Sequence, residues 1–175
     1  MGREATLATQ KNLDGLANKH VVIVGGSSGM GLALGRQAAA AGARVTLMAR
    51  DEKKLQAAAK EVPNAAIRAM DLRRTDTITK AIAGLGGVDH LVITAGTYRP
   101  APPDLIDLDE WRGVLEERVI GPLYLIKSLA KQITTSVVMF TGTASHRPTA
   151  GIAVAAAATA GVENMARCLA LELSP

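Results

Sequence analysis

Short apolar runs alternate along the chain with segments of helical periodicity, and the alternation begins near residue 20. Residues 21–24 are four consecutive apolar residues ending at Gly25, the pattern of a strand buried on both faces. Residues 30–41 are rich in Ala and Leu and predict a helix, with Gly42 where a helix end favours a left-handed residue. Residues 45–48 predict a second strand, and Asp51 the cap of a helix that must stop before Pro63. A weaker third strand is expected over 65–70, then a short helix over 75–83 closed by Gly84, Gly86 and Gly87. Residues 91–94 give a fourth strand, and the proline-rich stretch 99–103 a loop. Asp109 is expected to cap a long helix through Lys131, with Leu115, Val119, Leu123, Ile126 and Ala130 as its buried stripe. Residues 137–140 predict a fifth strand, and 152–173 a final Ala-rich helix.

Strands alternating with helices imply βαβ units around a parallel sheet, an α/β doubly wound Rossmann-type fold with helices on both faces. Residues 1–19 are polar and patternless and read as an N-terminal tail; 20–175 read as one dinucleotide-binding domain. With 48% hydrophobic and 21% charged residues, disorder is excluded.

Rings are scarce: Tyr98, Trp111, Tyr124 and Phe140. Base stacking on aromatic side chains therefore has little material, and the net charge of +4 is scattered. No nucleic-acid partner is expected. No apolar run reaches the roughly 18 residues of a membrane span, so no membrane partner is expected either. The single Cys168 has no internal disulfide partner, which points to a reducing, cytoplasmic setting, and its surroundings predict a small buried thiol. No metal site is expected.

The segment Val24-Gly25-Gly26-Ser27-Ser28-Gly29-Met30-Gly31 joins the first strand to its helix. In that context glycines serve a tight turn (Gly25), close backbone approach to a pyrophosphate (Gly29) and helix–strand packing (Gly31). The spacing Gly25-x-x-x-Gly29-x-Gly31 resembles the glycine loop of the short-chain dehydrogenase/reductase family. Met70-Asp71-Leu72 after the third strand resembles that family's adenine-contacting segment. Ile93-Thr94-Ala95-Gly96 keeps the last two residues of its Asn-Asn-Ala-Gly, and residues 168–175 resemble the close of its active-site helix. The resemblance covers residues 20–175.

It implies a nicotinamide dinucleotide held by Gly25, Ser27, Ser28, Gly29, Met30, Gly31, Arg50, Asp71, Leu72, Ala95, Gly96 and Thr159. The slot at the end of the second strand that chooses the cofactor is Ala49 followed by Arg50, which suits a 2′-phosphate; Asp51 is the alternative as a ribose acid. NADP(H) is therefore expected ahead of NAD(H).

The resemblance also implies a catalytic Tyr and Lys four residues apart, a Ser after the fifth strand and an Asn on the preceding helix. Those positions fall on Ala155, Thr159, Gly142 and Arg118. Neither Ala nor Gly can move a proton. Candidate stand-ins are His146, Tyr98, Arg118 and Thr143, with Thr141 and Ser145 as further hydroxyls.

Two functions follow. One is an NADP(H)-dependent oxidoreductase acting on a small carbonyl or alcohol through a substituted proton relay. The alternative is a catalytically silent NADP(H)-binding relative, a sensor or partner subunit with a small-molecule ligand. Family chains usually continue beyond this point, so the fifth strand is expected to lie at a sheet edge, with the chain cut short or that edge paired. Helices around 110–131 and 152–173 resemble those through which family members pair, so a homodimer or homotetramer is expected.

Overall fold

The computed structural model describes residues 14–97 and 100–174; side chains are described for these except Asp14 and Pro103. Five strands, β1 (His20–Val24), β2 (Arg44–Ala49), β3 (Ala66–Ala69), β4 (Val88–Ile93) and β5 (Ile133–Met139), form one parallel sheet in the order β3-β2-β1-β4-β5. Between them lie α1 (Gly29–Ala40), α2 (Glu52–Ala59) and α3 (Thr75–Ile82). A helical run then passes from α4 (Leu108–Leu115) through a π turn (Glu116–Ile120) into α5 (Gly121–Leu129), and α6 (Ala153–Glu172) follows β5.

Alternate side chains of the central strands feed two apolar layers. Val22, Val24, Met48, Leu91 and Ile93 pack with Leu125, Ile126, Leu129 and Leu169 on one face. Val21, Ile23, Val45, Leu47 and Val92 pack with Leu32, Leu55, Ala58 and Val62 on the other. Strands covered on both faces read as unbroken apolar runs, which is why the sequence shows them so clearly.

Local signals act as expected at Asp51, whose carboxylate accepts from the Lys54 amide at 3.0 Å. Three expectations are corrected. The cap of the long helical run is Asp107, accepting from the Glu110 amide at 2.8 Å, rather than Asp109. The stripe is only partly buried: Ile126 faces the core as expected, but Leu115 and Leu123 are about 40% exposed, and Leu125 and Leu129 take inward positions beside Ile126. For Leu123 the π turn is the cause, because its wider turn shifts the phase of the i, i+4 repeat between α4 and α5. Cys168 is exposed rather than buried; Leu169 beside it takes the inward position on α6.

Candidate functional site

The C-terminal ends of β1, β2 and β4 converge on a cleft of about 370 Å³. Gly25 leaves β1 with φ of +88°, and its amide donates to the Met48 carbonyl at 2.8 Å. A Cβ at Gly25 would stand 2.5 Å from the Thr94 hydroxyl, and one at Gly31 only 2.3 Å from the Gly25 carbonyl oxygen. The loop therefore closes against β4 only because both residues lack side chains. Ser28 is extended and caps α1 with no side-chain bond, and a Cβ at Gly29 would meet nothing within 4 Å. The first amides of α1 thus face open space, the arrangement that receives a phosphate.

Of the expected binding residues, Gly25, Ser27, Ser28, Gly29, Met30, Gly31, Arg50, Leu72, Ala95 and Gly96 all line this cleft. Asp71 and Thr159 are not among its lining residues. The Asp71 carboxylate is gripped by Arg73, whose Nη2 donates at 2.7 Å, and that bond holds its pKa below the ordinary carboxylate value. Thr159 is buried, and its hydroxyl donates to the Ala156 carbonyl of its own helix at 2.9 Å.

Among the cleft residues that had no part in the sequence reading, one is acidic. Glu117, on the π turn, is buried with its Oε2 accepting from the Thr97 amide at 2.8 Å. Its Oε1 lies 3.7 Å from Arg50 Nη1. The acidic pair Glu116-Glu117 inside an apolar stretch is the only sequence signal that could have found it. Arg118 follows. Its guanidinium lies against Gly96, its Nη2 donates to the Thr97 carbonyl at 3.2 Å, and its Nε is buried without a partner.

A second cavity of about 400 Å³ shares Arg50, Thr97 and Glu117 with the cleft and extends past Trp111 and Val114 to Ile152 and Ala155. Ala155 presents only a methyl group to it. Near Thr159, a Cβ on Gly142 would sit 3.6 Å from the Thr159 methyl, and Thr141 Oγ1 donates to the Thr159 carbonyl at 3.0 Å. The expected stand-ins are not gathered here. His146 Nε2 pairs with Glu163 at 2.9 Å, and Ser145 donates to the other oxygen of that carboxylate. The Ser145 hydroxyl, with His146 beside it, holds the Glu163 pKa below its ordinary value. Glu163 lies eight residues beyond Ala155, about 12 Å along α6. Thr143 is exposed on the turn that carries Ser145, and Tyr98 lies outside the described residues. Among the described residues no group of His, Cys, Asp and Glu is arranged to hold a metal, and no helix is long and apolar enough to cross a membrane.

The sequence pattern named short chain dehydrogenase matches residues 19–175. The chain belongs to that family. A short chain dehydrogenase/reductase family protein superposes with a TM-score of 0.87 at 30% identity, over 90% of this chain and 69% of that one. The short-chain dehydrogenase/reductase ucsE of Acremonium sp is 28% identical over 94% of this chain and 71% of its own length. The 3-dehydrosphinganine reductase of Danio rerio is 35% identical over 62% of this chain. This chain spans little more than a third of the length of such reductases (37% for that of Danio rerio).

The family is one of oxidoreductases that use a nicotinamide cofactor. Here the glycine cradle at Gly25 and Gly31 and the open amides of α1 fit the pyrophosphate and adenosine half of such a group. Gly142, Ala155 and Thr159, the positions at which the resemblance implies catalytic groups, carry no side-chain acid or base.

Proposed function

We propose that this short-chain dehydrogenase domain binds a nicotinamide dinucleotide, NADP(H) ahead of NAD(H), and acts as a binding subunit or sensor rather than by the family's proton relay. The supporting observation is the pair of cavities joined at Arg50, Thr97 and Glu117: the cradle is intact, and the second cavity ends on the methyl of Ala155. A bound cofactor would supply hydride. The chain's own residues would hold its phosphates at Ser27, Ser28 and the α1 amides, and a 2′-phosphate at Arg50 beside the small Ala49. A small-molecule ligand would occupy the second cavity. Assembly as a homodimer or homotetramer in the cytoplasm accompanies this reading.

Titration with NADPH, followed by a panel of ketones, aldehydes and quinones, tests it. Binding without oxidation is the expected result. Turnover of any of them overturns the silent reading, and absence of NADPH binding overturns the cofactor assignment.

A second reading keeps the oxidoreductase activity on a small carbonyl or alcohol through a substituted relay. It is favoured by Arg118, which brings a permanent cation against Gly96, while position 159, where the resemblance implies the family's Lys, is Thr. Turnover that collapses in Arg118→Asn with NADPH affinity retained would support it.

A further inference from the structure

Four charged groups border the adenosine side of the cleft: Arg50, Lys54, Asp51 and Glu117. Asp51 is committed to the Lys54 amide as a helix cap. Glu117 is different. It is buried, fixed at one oxygen by the Thr97 amide, and carried on the backbone of a π turn, a distortion that recurs at functional positions. Arg50 is its opposite in character, with a side chain about half exposed at the end of β2. At 3.7 Å the two form an ion pair but no hydrogen bond, so the guanidinium stays free to turn toward another anion.

We propose that Glu117 is a specificity-determining residue: its fixed carboxylate competes with the 2′-phosphate of a dinucleotide for the Arg50 guanidinium. This rests on the reading that the cleft takes a nicotinamide dinucleotide. Discrimination between 2′-phosphate and 2′-hydroxyl is then set from the helical run as well as from the end of β2. A phosphate arriving at Arg50 meets a second negative charge a few ångströms away, and because Glu117 is buried, solvent screens that charge poorly. A ribose hydroxyl meets instead an acceptor, Glu117 Oε1, whose nearest cation stands beyond hydrogen-bond distance. The carboxylate thus weakens the preference that Arg50 creates.

The test uses two fragments that need no turnover. Binding of 2′,5′-ADP and of 5′-AMP is measured by calorimetry on the wild type, Glu117→Gln and the double variant Glu117→Gln/Arg50→Gln. Gln keeps the length of Glu and can still accept from the Thr97 amide. In E117Q the preference for 2′,5′-ADP over 5′-AMP is expected to rise about tenfold, and the double variant to lose that gain. A preference changed by less than about twofold, or both nucleotides shifted equally, overturns the proposal. Should E117Q fail to fold, Glu117→Met, apolar and of similar length, carries the same comparison. If neither nucleotide binds any folded variant or the wild type, the dinucleotide reading itself fails, and the role of Glu117 falls with it.

Discussion

The methyl group of Thr159 faces Gly142 at ordinary van der Waals distance: a Cβ placed on the glycine would lie 3.6 Å from Thr159 Cγ2. The family resemblance implies a Lys and a Ser at these two positions, which here are Thr and Gly. The scaffold has room for that chemistry, since a Ser at 142 needs no displacement and a side chain at 155 can extend into the second cavity. We expect the triple variant Gly142→Ser, Ala155→Tyr, Thr159→Lys to oxidise NADPH against a small ketone at least about 10²-fold above the wild type, the usual contribution of positioned acid–base groups. Each single substitution should give nothing measurable, because a Tyr without the cation beside it stays a weak acid near neutral pH. The loss of NADPH absorbance reads the outcome.

The two glycines nearest the cleft floor should respond differently to an added methyl. At Gly31 it would meet the backbone carbonyl of Gly25, which cannot move without opening the loop; at Gly96 it would meet only the tip of the Arg118 side chain. Gly31→Ala is expected to lower stability by about 2–3 kcal/mol and to abolish NADPH binding. Gly96→Ala should lower stability by less than about 1 kcal/mol, because the guanidinium can swing aside. Urea denaturation of the two variants decides between them. Equal losses would show that Arg118 is held as firmly as backbone.

The contrast between these glycines also shows what a sequence can carry. The cradle was legible because a strand, a tight turn and a helix at fixed spacing leave few chemistries for Gly25, Gly29 and Gly31. The parallel sheet was legible because doubly covered strands are apolar throughout and alternate here with helices. Glu117 was not. Its burial depends on a π turn, and a single widened turn rotates every later side chain about the axis while the residue string keeps its apparent i, i+4 repeat. The same rotation turned Leu123 outward. Cys168 was misplaced for a simpler reason: in an Ala-rich helix small residues lie on every face, so the inward one is not marked by size.

That outward face has a consequence. Leu108, Leu115, Ile120 and Leu123 are exposed large apolar residues on one helical run, more than a solvated surface usually gathers in a short span. If the chain pairs through this run, as the homodimer or homotetramer reading holds, charge placed there should disperse it. Sedimentation velocity at micromolar concentration should show an oligomer for the wild type and a monomer for Leu115→Glu/Leu123→Glu, with the circular dichroism of both alike. A wild type that sediments as a monomer removes the assembly from the reading.

His20 gives the fold a pH dependence of known sign. The ring is buried at the start of β1; Nδ1–H donates to the Gly87 carbonyl at 2.7 Å, and Nε2 accepts from the Thr46 hydroxyl at 2.9 Å. Burial, the dominant influence, lowers its pKa below the ordinary 6.5. The unfolded chain therefore takes up a proton at a higher pH than the folded one. The neutral ring's contribution is fully present above about pH 6.5 and is lost as pH falls from there toward the folded pKa, at no more than about 1.4 kcal/mol per pH unit. Asp89 cannot produce the same signature. The His20 amide and the Lys19 ammonium hold it at about 2, so its contribution persists until pH falls below the ordinary carboxylate value. Thermal melts from about pH 7.5 down to about pH 5 should show a falling melting temperature in the wild type. In His20→Gln, which can make the same two hydrogen bonds but takes no proton, the curve should be flatter over that range. Parallel curves would show that the acid-linked loss arises elsewhere.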